Sequence, residues 1–319
     1  MNHKSAFCTL FLALTFACAA AFAQSGYPAK PLRWIVPFPP GGPTDVVARV
    51  IAPKLAERLS QPVLVDNRPG AASNIGMEAA ARSAPDGYTI LFVVPSLVLN
   101  PHLYKINFDP LADFAAVIHL TSTYYLLLAG PAFEARTVPD IVAAAKAKPG
   151  SITCALMPAL PGLACELFKS LGRINLSMVP YKGSAQAIND VMGGHVSLVF
   201  EVVNTAVPHV RSGKLRAIAT TTAKRGGAMP ELPAIAESLP GFDLEGWQGV
   251  VMPAATPREI VQLLNREFAA VLGLAEVRQR INDAGLPVIS GPADGFDRVV
   301  RRDYERLGKL IREAGIKAQ

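Results

Sequence analysis

The sequence lacks the side-chain patterns that most catalytic and nucleotide-binding sites need. The four histidines after residue 23 occur in neither an HxxxH nor an HExxH spacing, which argues against a zinc site. The chain has no Gly-x-Ser-x-Gly elbow, and its glycine loop at Gly41-Gly42 is neither GxGxxG nor GxxxxGK[ST]. We therefore expect a protein without catalytic activity, cofactor or bound metal.

Charge is also sparse. Only 18% of the 319 residues are charged, and 31 basic residues against 25 acidic ones give a net charge of +6. The basic residues are scattered and are not interleaved with aromatic side chains, which argues against a nucleic-acid partner. Half of the residues are hydrophobic, so the chain can build packed cores, and its length suggests two domains.

Apart from its first residues, the sequence has no apolar run long enough to span a bilayer. Those first residues have the features of an export signal: Lys4, the apolar run Phe7–Phe16, and Ala21-Phe22-Ala23 as a small-x-small cleavage site. We expect residues 1–23 to be a signal peptide and the mature protein to be exported and soluble. A lipid anchor at Cys18 is an alternative, but bulky Phe16 fits a lipidation signal poorly.

Only Cys154 and Cys165 remain after that cleavage. An exported protein meets an oxidising compartment, which permits a disulfide. A pair with one cysteine ending a strand and the other on a helix can lie too far apart. We expect two free, buried cysteines. The alternative from another functional class, an exported hydrolase with a cysteine nucleophile, would use one of them.

Apolar periodicity predicts alternating strands and helices. The predicted strands include 33–36, 63–65, 88–94, 124–128, 152–156, 176–179, 196–200, 215–220, 247–252 and 286–289. The predicted helices include 46–59, 77–83, 137–148, 163–171, 204–212, 258–272 and the stripe from Phe296 to Ile311. We expect Pro53 to kink or split the first helix. This alternation is typical of an α/β fold with two doubly wound sheets.

The stretch that joins the first strand to the first helix is a candidate anion site. We call residues 37–45, Pro37-Phe38-Pro39-Pro40-Gly41-Gly42-Pro43-Thr44-Asp45, loop one. Glycine lets a ligand approach the backbone, and the start of a helix carries unpaired N–H groups and partial positive charge. Thr44 or Asp45 could cap the helix. A turn that only connects two elements is the alternative.

Several segments resemble one family along nearly all of the chain. They are Pro39–Asp45, Asp66–Ala71, Asn74–Gly76, Asp86–Tyr88, Val179–Gly183, Gly193–Val196, Gly213–Ala217, Pro230–Pro233 and Gly246–Gly249 with Pro253 and Thr256-Pro257. In these segments the chain resembles the Bug family, the extracytoplasmic solute receptors of tripartite tricarboxylate transporters.

The resemblance implies a two-lobed periplasmic binding protein of the type II, Venus-flytrap kind. We expect residues 24–125 plus 248–319 to form lobe 1 and residues 126–247 to form lobe 2. It further implies a small carboxylate ligand held between the lobes, delivery to the membrane permease subunits of a tripartite transporter, and a monomeric receptor. An orphan or signalling receptor that presents its ligand state to a membrane sensor is the alternative.

In the family, one strand–helix loop from each lobe holds the carboxylate. The first maps onto loop one, so the resemblance implies Pro40, Gly41, Gly42, Thr44 and Asp45 as ligand-binding residues. The second maps onto residues 156–161, Leu156-Met157-Pro158-Ala159-Leu160-Pro161, which we call loop two.

Loop two departs from the family's glycine- and hydroxyl-rich pattern. The backbone of Ala159 and Leu160 can still bind, but the prolines at 158 and 161 offer no N–H. We therefore expect an acid that is more apolar than a dicarboxylate, with Met157 and Leu160 lining its pocket. A loop that has decayed, or that binds through water, is the alternative.

Three more residues are implied as ligand contacts. Glu201 stands where the family usually has Asp. In the family this acid faces the cleft and can accept a hydrogen bond from an amine or a hydroxyl of the ligand. Ser96 and Asn204 could donate hydrogen bonds to the ligand. A capping or surface role for Glu201 is the alternative.

Overall fold

The computed structural model of the chain describes residues 26–157, 159–227 and 229–313. The predicted signal peptide, residues 1–23, lies outside the described residues.

Strands and helices alternate through the described chain. The strands are β1 (Leu32–Val36), β2 (Val63–Asn67), β3 (Thr89–Val93), β4 (Phe114–Ala129), β5 (Thr153–Leu156), β6 (Ser177–Pro180), β7 (Leu198–Val202), β8 (Arg216–Thr220) and β9 (Glu245–Pro253). The α-helices are α1 (Pro43–Leu59), α2 (Asn74–Ala81), α3 (Ser96–Leu99), α4 (Val138–Ala147), α5 (Leu160–Gly172), α6 (Ser184–Met192), α7 (Val203–Arg211), α8 (Arg258–Gly273), α9 (Ala275–Asp283) and α10 (Ala293–Glu313). The predicted α/β class is confirmed.

The strands pair in the order β2-β1-β3-β9-β4-β7-β5-β6, and β8 also pairs with β4. β1 is parallel to β2 and β3, and β5 is parallel to β6 and β7. β4 is antiparallel to β9 over residues 114–124 and to β7 over residues 125–129. We call β2-β1-β3-β9 the first half of the sheet and β7-β5-β6 with β8 the second half. β4 belongs to both.

Helices cover both faces of the first half. On one face, Trp34 of β1 lies edge-on to Phe268 of α8, with ring centroids 5.3 Å apart. On the other, Trp247 of β9 lies edge-on to Phe296 of α10, also at 5.3 Å. Because β1, β2 and β3 are parallel, the loops that follow them meet at one edge of the sheet. Loop one and Ser96 lie at that edge.

Several boundaries differ from the prediction. β4 begins at Phe114 instead of Tyr124, because bulges in its pairing with β9 break the alternation that marks a strand. Helix α9 was not predicted, since its sequence AEVRQRIND is mostly polar. The predicted strand 286–289 is reduced to one bridge between Val288 and Thr121.

Pro53 does not split α1, which continues from Pro43 to Leu59. Pro53 is exposed, whereas Ile51 and Leu55 on either side of it are fully buried. The backbone carbonyl that loses its helical hydrogen bond therefore lies on the solvent side, where water can replace that bond. The buried side chains hold the helix against the sheet on both sides of the proline.

The expectation of two free cysteines is wrong. Cys154 of β5 and Cys165 of α5 form a disulfide, with Cα atoms 6.5 Å apart. This distance is within the roughly 4.4–6.8 Å that a disulfide spans. The pair can meet because Cys165 lies in the second turn of α5, which packs directly on β5, and both residues are fully buried. Neither thiol is then free to act as a nucleophile.

Candidate functional site

Loop one turns the chain from β1 into α1 with glycine where the backbone requires it. Gly41 has φ +81°, a left-handed conformation that favours glycine. Gly42 is the N-cap of α1 in an extended conformation, and Pro43 occupies the first helical position, where a missing N–H has no cost. Neither Thr44 nor Asp45 is the N-cap, which differs from the sequence prediction.

Asp45 pins loop one from the first turn of α1. Its Oδ2 accepts the backbone N–H of Gly41 at 2.9 Å and the Nε–H of Arg49 at 2.8 Å. Its Oδ1 accepts a hydrogen bond from Asn67 of β2 at 2.9 Å, and the same Asn67 amide also donates to the Phe38 carbonyl. Burial alone would raise the pKa of Asp45, but these hydrogen bonds hold it below its ordinary value. The carboxylate is therefore an internal acceptor of loop one.

The backbone at the start of α1 has N–H donors that the helix itself does not use. The first hydrogen bond from the start of α1 is donated by the Val46 N–H to the Gly42 carbonyl at 3.0 Å. The N–H groups of Thr44 and Asp45 precede it and have no acceptor inside the helix. They point along the positive end of the helix dipole, which attracts an anion.

A cavity of about 250 Å³ lies beside loop one. Phe38 and Pro39 of loop one line it, together with Ser96 at the start of α3 and Ala159 of loop two. Its other lining residues are Pro37, Pro69, Gly70, Ala72, Ser73, Val94, Leu99, Asn100, Leu103 and Tyr104. The structure thus brings Ser96 of the first half and Ala159 of the second half to the same cavity.

Loop two has an unusual backbone at Ala159. This residue is exposed, with φ +61° and ψ −142°, and its carbonyl accepts the Leu163 N–H of α5 at 3.2 Å. The Met157 carbonyl packs so closely on Gly162 that a Cβ there would lie 2.1 Å from its oxygen. The 154–165 disulfide joins the strand before loop two to the helix after it. Loop two is therefore braced from both sides.

Met157 and Leu160 do not line this cavity. Both are buried, 5% and 1% exposed, and belong to different core clusters. The structure directs these two side chains into the protein interior, and their contact with a ligand stays a prediction.

Glu201 lies near the carboxyl end of β7 and is only 2% exposed. Its Oε1 accepts the Val202 N–H at 3.0 Å, and the Ser184 hydroxyl at the start of α6 also donates to the carboxylate. Its Oε2 is buried without a hydrogen-bond partner among the described residues. Burial raises the pKa of Glu201, and these two hydrogen bonds only partly offset that effect.

Asn204 follows in the first turn of α7, and its buried Oδ1 likewise has no partner in the described part of the chain. Its backbone packs on Gly285, where a Cβ would lie 2.7 Å from the Asn204 Cβ. Neither Glu201 nor Asn204 lines the cavity beside loop one. Their role toward a ligand also stays a prediction.

The sequence gives little sign of the remaining cavity lining. The apolar residues Leu99 and Leu103 follow Ser96 along the chain. The sequence in this segment indicates only that strand β3 has ended, and it gives no sign that either leucine lines a cavity. Gly70 through Ser73 all have positive φ, although the last three of these residues carry a Cβ. A left-handed run of non-glycine residues has no local sequence signature, so this wall could not be predicted.

Across residues 26–157, 159–227 and 229–313, no group of three or more His, Cys, Asp or Glu side chains could hold a metal ion. Over the same residues, no helix is both long and apolar enough to cross a bilayer.

Comparison with known proteins identifies the family. The profile of the "Tripartite tricarboxylate transporter family receptor" matches residues 47–316, so the chain belongs to this receptor family. It is 36% identical to Protein BugT of Bordetella pertussis over 99% of both chains. The predicted membership of the Bug family is confirmed.

Solved structures of similar proteins have the same fold. "R. palustris Rpa4515 with adipate" matches with a TM-score of 0.81 and 32% identity, over 92% of this chain and 100% of that one. "MatC (Rpa3494) from Rhodopseudomonas palustris with bound malate" matches with a TM-score of 0.77 and 28% identity, over 89% and 100%. The predicted two-lobed periplasmic binding fold is confirmed, and the chain is a ligand-binding receptor of that class.

Proposed function

We propose that the mature chain binds a small carboxylate between loop one and loop two. The observation that carries this proposal is the cavity shared by Phe38 of loop one, Ser96 and Ala159 of loop two. Loop one continues from its cavity-lining residue Pro39 to the start of α1, a 17-residue helix with N–H groups at its positive end, although no residue of α1 itself lines the cavity. Loop two supplies the braced backbone that includes Ala159. Both are groups that bind an anion without catalysing a reaction on it.

The relatives support the class of ligand. Two proteins of this fold were solved with adipate and with malate, a longer and a shorter dicarboxylate. The site in this chain combines the loop-one amides with a largely apolar cavity, so we propose an organic acid as its ligand.

The sheet supports a hinge between two lobes. β4 exchanges β9 for β7 as its partner between Tyr124 and Tyr125. We propose residues 24–125 plus 248–319 as one lobe and residues 126–247 as the other, with loop one and loop two on opposite sides of the cleft. Motion about β4 and β9 would close that cleft on the ligand.

The receptor delivers its ligand to a permease of the tripartite tricarboxylate kind, as the family description implies. It is exported through residues 1–23, acts as a monomer and carries out no covalent chemistry. Deletion of its gene should abolish uptake of the radiolabelled acid that it binds best. Unchanged uptake would contradict the permease as partner and favour a signalling receptor.

Binding itself is tested by thermal shift on residues 24–319 with malate, adipate, hexanoate and benzoate. An acid that binds only the folded state raises the melting temperature. Thr44→Val removes a hydroxyl that lies beside the N–H groups at the start of α1 and that we propose donates to the carboxylate. It should weaken binding of the best acid roughly tenfold or more, since a hydrogen bond to a charged group contributes about 1.5–3 kcal/mol. Thr89→Val, at the opposite end of β3 from Ser96, is the control and should change nothing. If no acid raises the melting temperature, the proposal is wrong.

A further inference from the structure

The cavity beside loop one is lined almost entirely by residues from the first half of the protein. Its lining includes Leu99 at the end of α3, Leu103 and Tyr104. Its volume of about 250 Å³ exceeds the roughly 150 Å³ of an apolar cavity that holds benzene. A compact organic group therefore fits inside it.

The walls of this cavity are apolar. Its lining includes Val94 and the fully buried Leu99, together with Phe38 and Pro37 of loop one. No described residue that lines the cavity carries a charge. An ionised carboxylate placed here would lose its hydration without gaining a counter-ion, which is strongly unfavourable.

Polar groups in the lining are few, and the best placed is already engaged. The Asn100 side chain is 2% exposed, and its Nδ2 donates to the Ala72 carbonyl and to the Asn74 side-chain oxygen, both at 2.8 Å. The Ser73 and Ser96 hydroxyls are the other small polar groups, and Tyr104 lies at the far end. The cavity thus resembles a site for an apolar group more than one for a second acid.

One wall is held in an unfavourable backbone conformation. Gly70, Ala71, Ala72 and Ser73 have φ values of +126°, +46°, +53° and +80°. Such angles are costly for residues with a Cβ and persist where the surroundings impose them, often at ligand sites. Asn100 stabilises this segment through its hydrogen bond to the Ala72 carbonyl. The shape of the wall is therefore maintained against a local energetic cost.

We propose that this cavity receives the apolar end of the ligand, so that the substrate class is a monocarboxylic acid with a compact aromatic or aliphatic group. The inference rests on the proposed function, because the carboxylate of the same molecule binds at the start of α1. Leu103 and Tyr104 set the size of the group that the cavity accepts. Met157 and Leu160, which the sequence suggested for this role, are directed elsewhere.

Titration calorimetry on residues 24–319 with benzoate, phenylacetate, hexanoate, adipate and malate tests this inference. The best monocarboxylate should bind at least tenfold more tightly than malate and adipate. Leu103→Trp, which fills the cavity, should lower the affinity for that monocarboxylate at least tenfold. Leu111→Trp is the control: Leu111 is also partly buried against the same core but does not line the cavity, and its variant should bind as the wild type does.

Leu103→Ala provides a second variant in case the tryptophan prevents folding. It enlarges the cavity and should increase the affinity for 2-naphthoate relative to that for benzoate. Tighter binding of malate or adipate than of every monocarboxylate, with all affinities unaffected by either Leu103 variant, would overturn this inference and leave the proposed function intact. Absence of binding by all five acids would overturn both.

Discussion

The Gly41 backbone N–H donates to the Asp45 carboxylate at 2.9 Å, across the turn that joins β1 to α1. This bond uses an amide that the sequence suggests for the ligand, and it holds the loop in the shape that exposes the amides after it. Asp45 thereby acts on an anion site through the loop rather than through its own charge.

Asp45→Ala should therefore reduce both stability and affinity. It removes a buried acceptor from Gly41, Arg49 and Asn67, and a buried donor that is left unsatisfied costs about 1–3 kcal/mol. Urea unfolding and calorimetry with the best acid of the panel would measure the two effects. Arg49→Gln is the control: the Arg49 side chain is 54% exposed, so its loss should cost less than about 1 kcal/mol. Wild-type affinity in Asp45→Ala would contradict the role given to this bond.

The disulfide between Cys154 and Cys165 should stabilise the protein by about 3 kcal/mol, as expected for a short closed loop. Replacement of both cysteines by serine should lower the urea midpoint accordingly. It should also weaken ligand binding, because loop two lies inside the closed segment. Titration of free thiols in the denatured, unreduced mature protein should give none. Two free thiols would show that the bond is absent.

Gly162→Ala should disturb loop two directly. A Cβ at this position would lie 2.1 Å from the Met157 carbonyl oxygen, so the backbone of loop two has to move. We expect a loss of about 1–3 kcal/mol in the free energy of unfolding, together with weaker binding. Gly273→Ala at the end of α8 is the matched control, since a Cβ there has no neighbour within 4 Å among the described residues. Equal stability of both variants would argue against a tightly braced loop two.

Stability should depend on pH through Glu201. Burial raises the folded-state pKa of this carboxyl above its ordinary value of 4.5. At a pH between 4.5 and the folded-state pKa, the folded protein therefore retains a proton that the unfolded chain has lost. The contribution of Glu201 to stability is therefore most favourable below pH 4.5 and declines as pH rises through the folded-state pKa. The free energy of unfolding of Glu201→Gln, relative to that of the wild type, should therefore increase from pH 4 to pH 8. Glu259→Gln, at an exposed position, is the control for the loss of a charge. A stability of Glu201→Gln relative to the wild type that falls with rising pH would contradict the account.

Much of the fold could be predicted because apolar periodicity reports burial. The Val36-to-Asp45 turn and the Thr137 start of α4 follow from local chemistry, and Thr137 does accept the Asp140 N–H at 3.2 Å. The disulfide could not be predicted, because it depends on how α5 packs against β5. The full length of β4 was hidden by bulges that only the pairing with β9 creates.

The candidate site was predictable only in part. Loop one has a motif and a mechanism, and Ser96 follows a recognisable strand. The apolar wall formed by Leu99, Leu103 and Tyr104 comes from packing between segments, which no local pattern reports. The sequence suggests that Met157 and Leu160 of the proline-rich loop two line the ligand pocket, but the fold buries both side chains in two different core clusters.

Backbone amide chemical shifts test the central claim most directly. In the ¹⁵N-labelled mature protein, titration with the best acid of the panel should move the resonances of Gly42, Thr44, Asp45 and Ala159 together, with one dissociation constant. This result would show that loop one and loop two both contact the same bound ligand. Saturable binding that moves other amides and leaves these four unchanged would contradict the account.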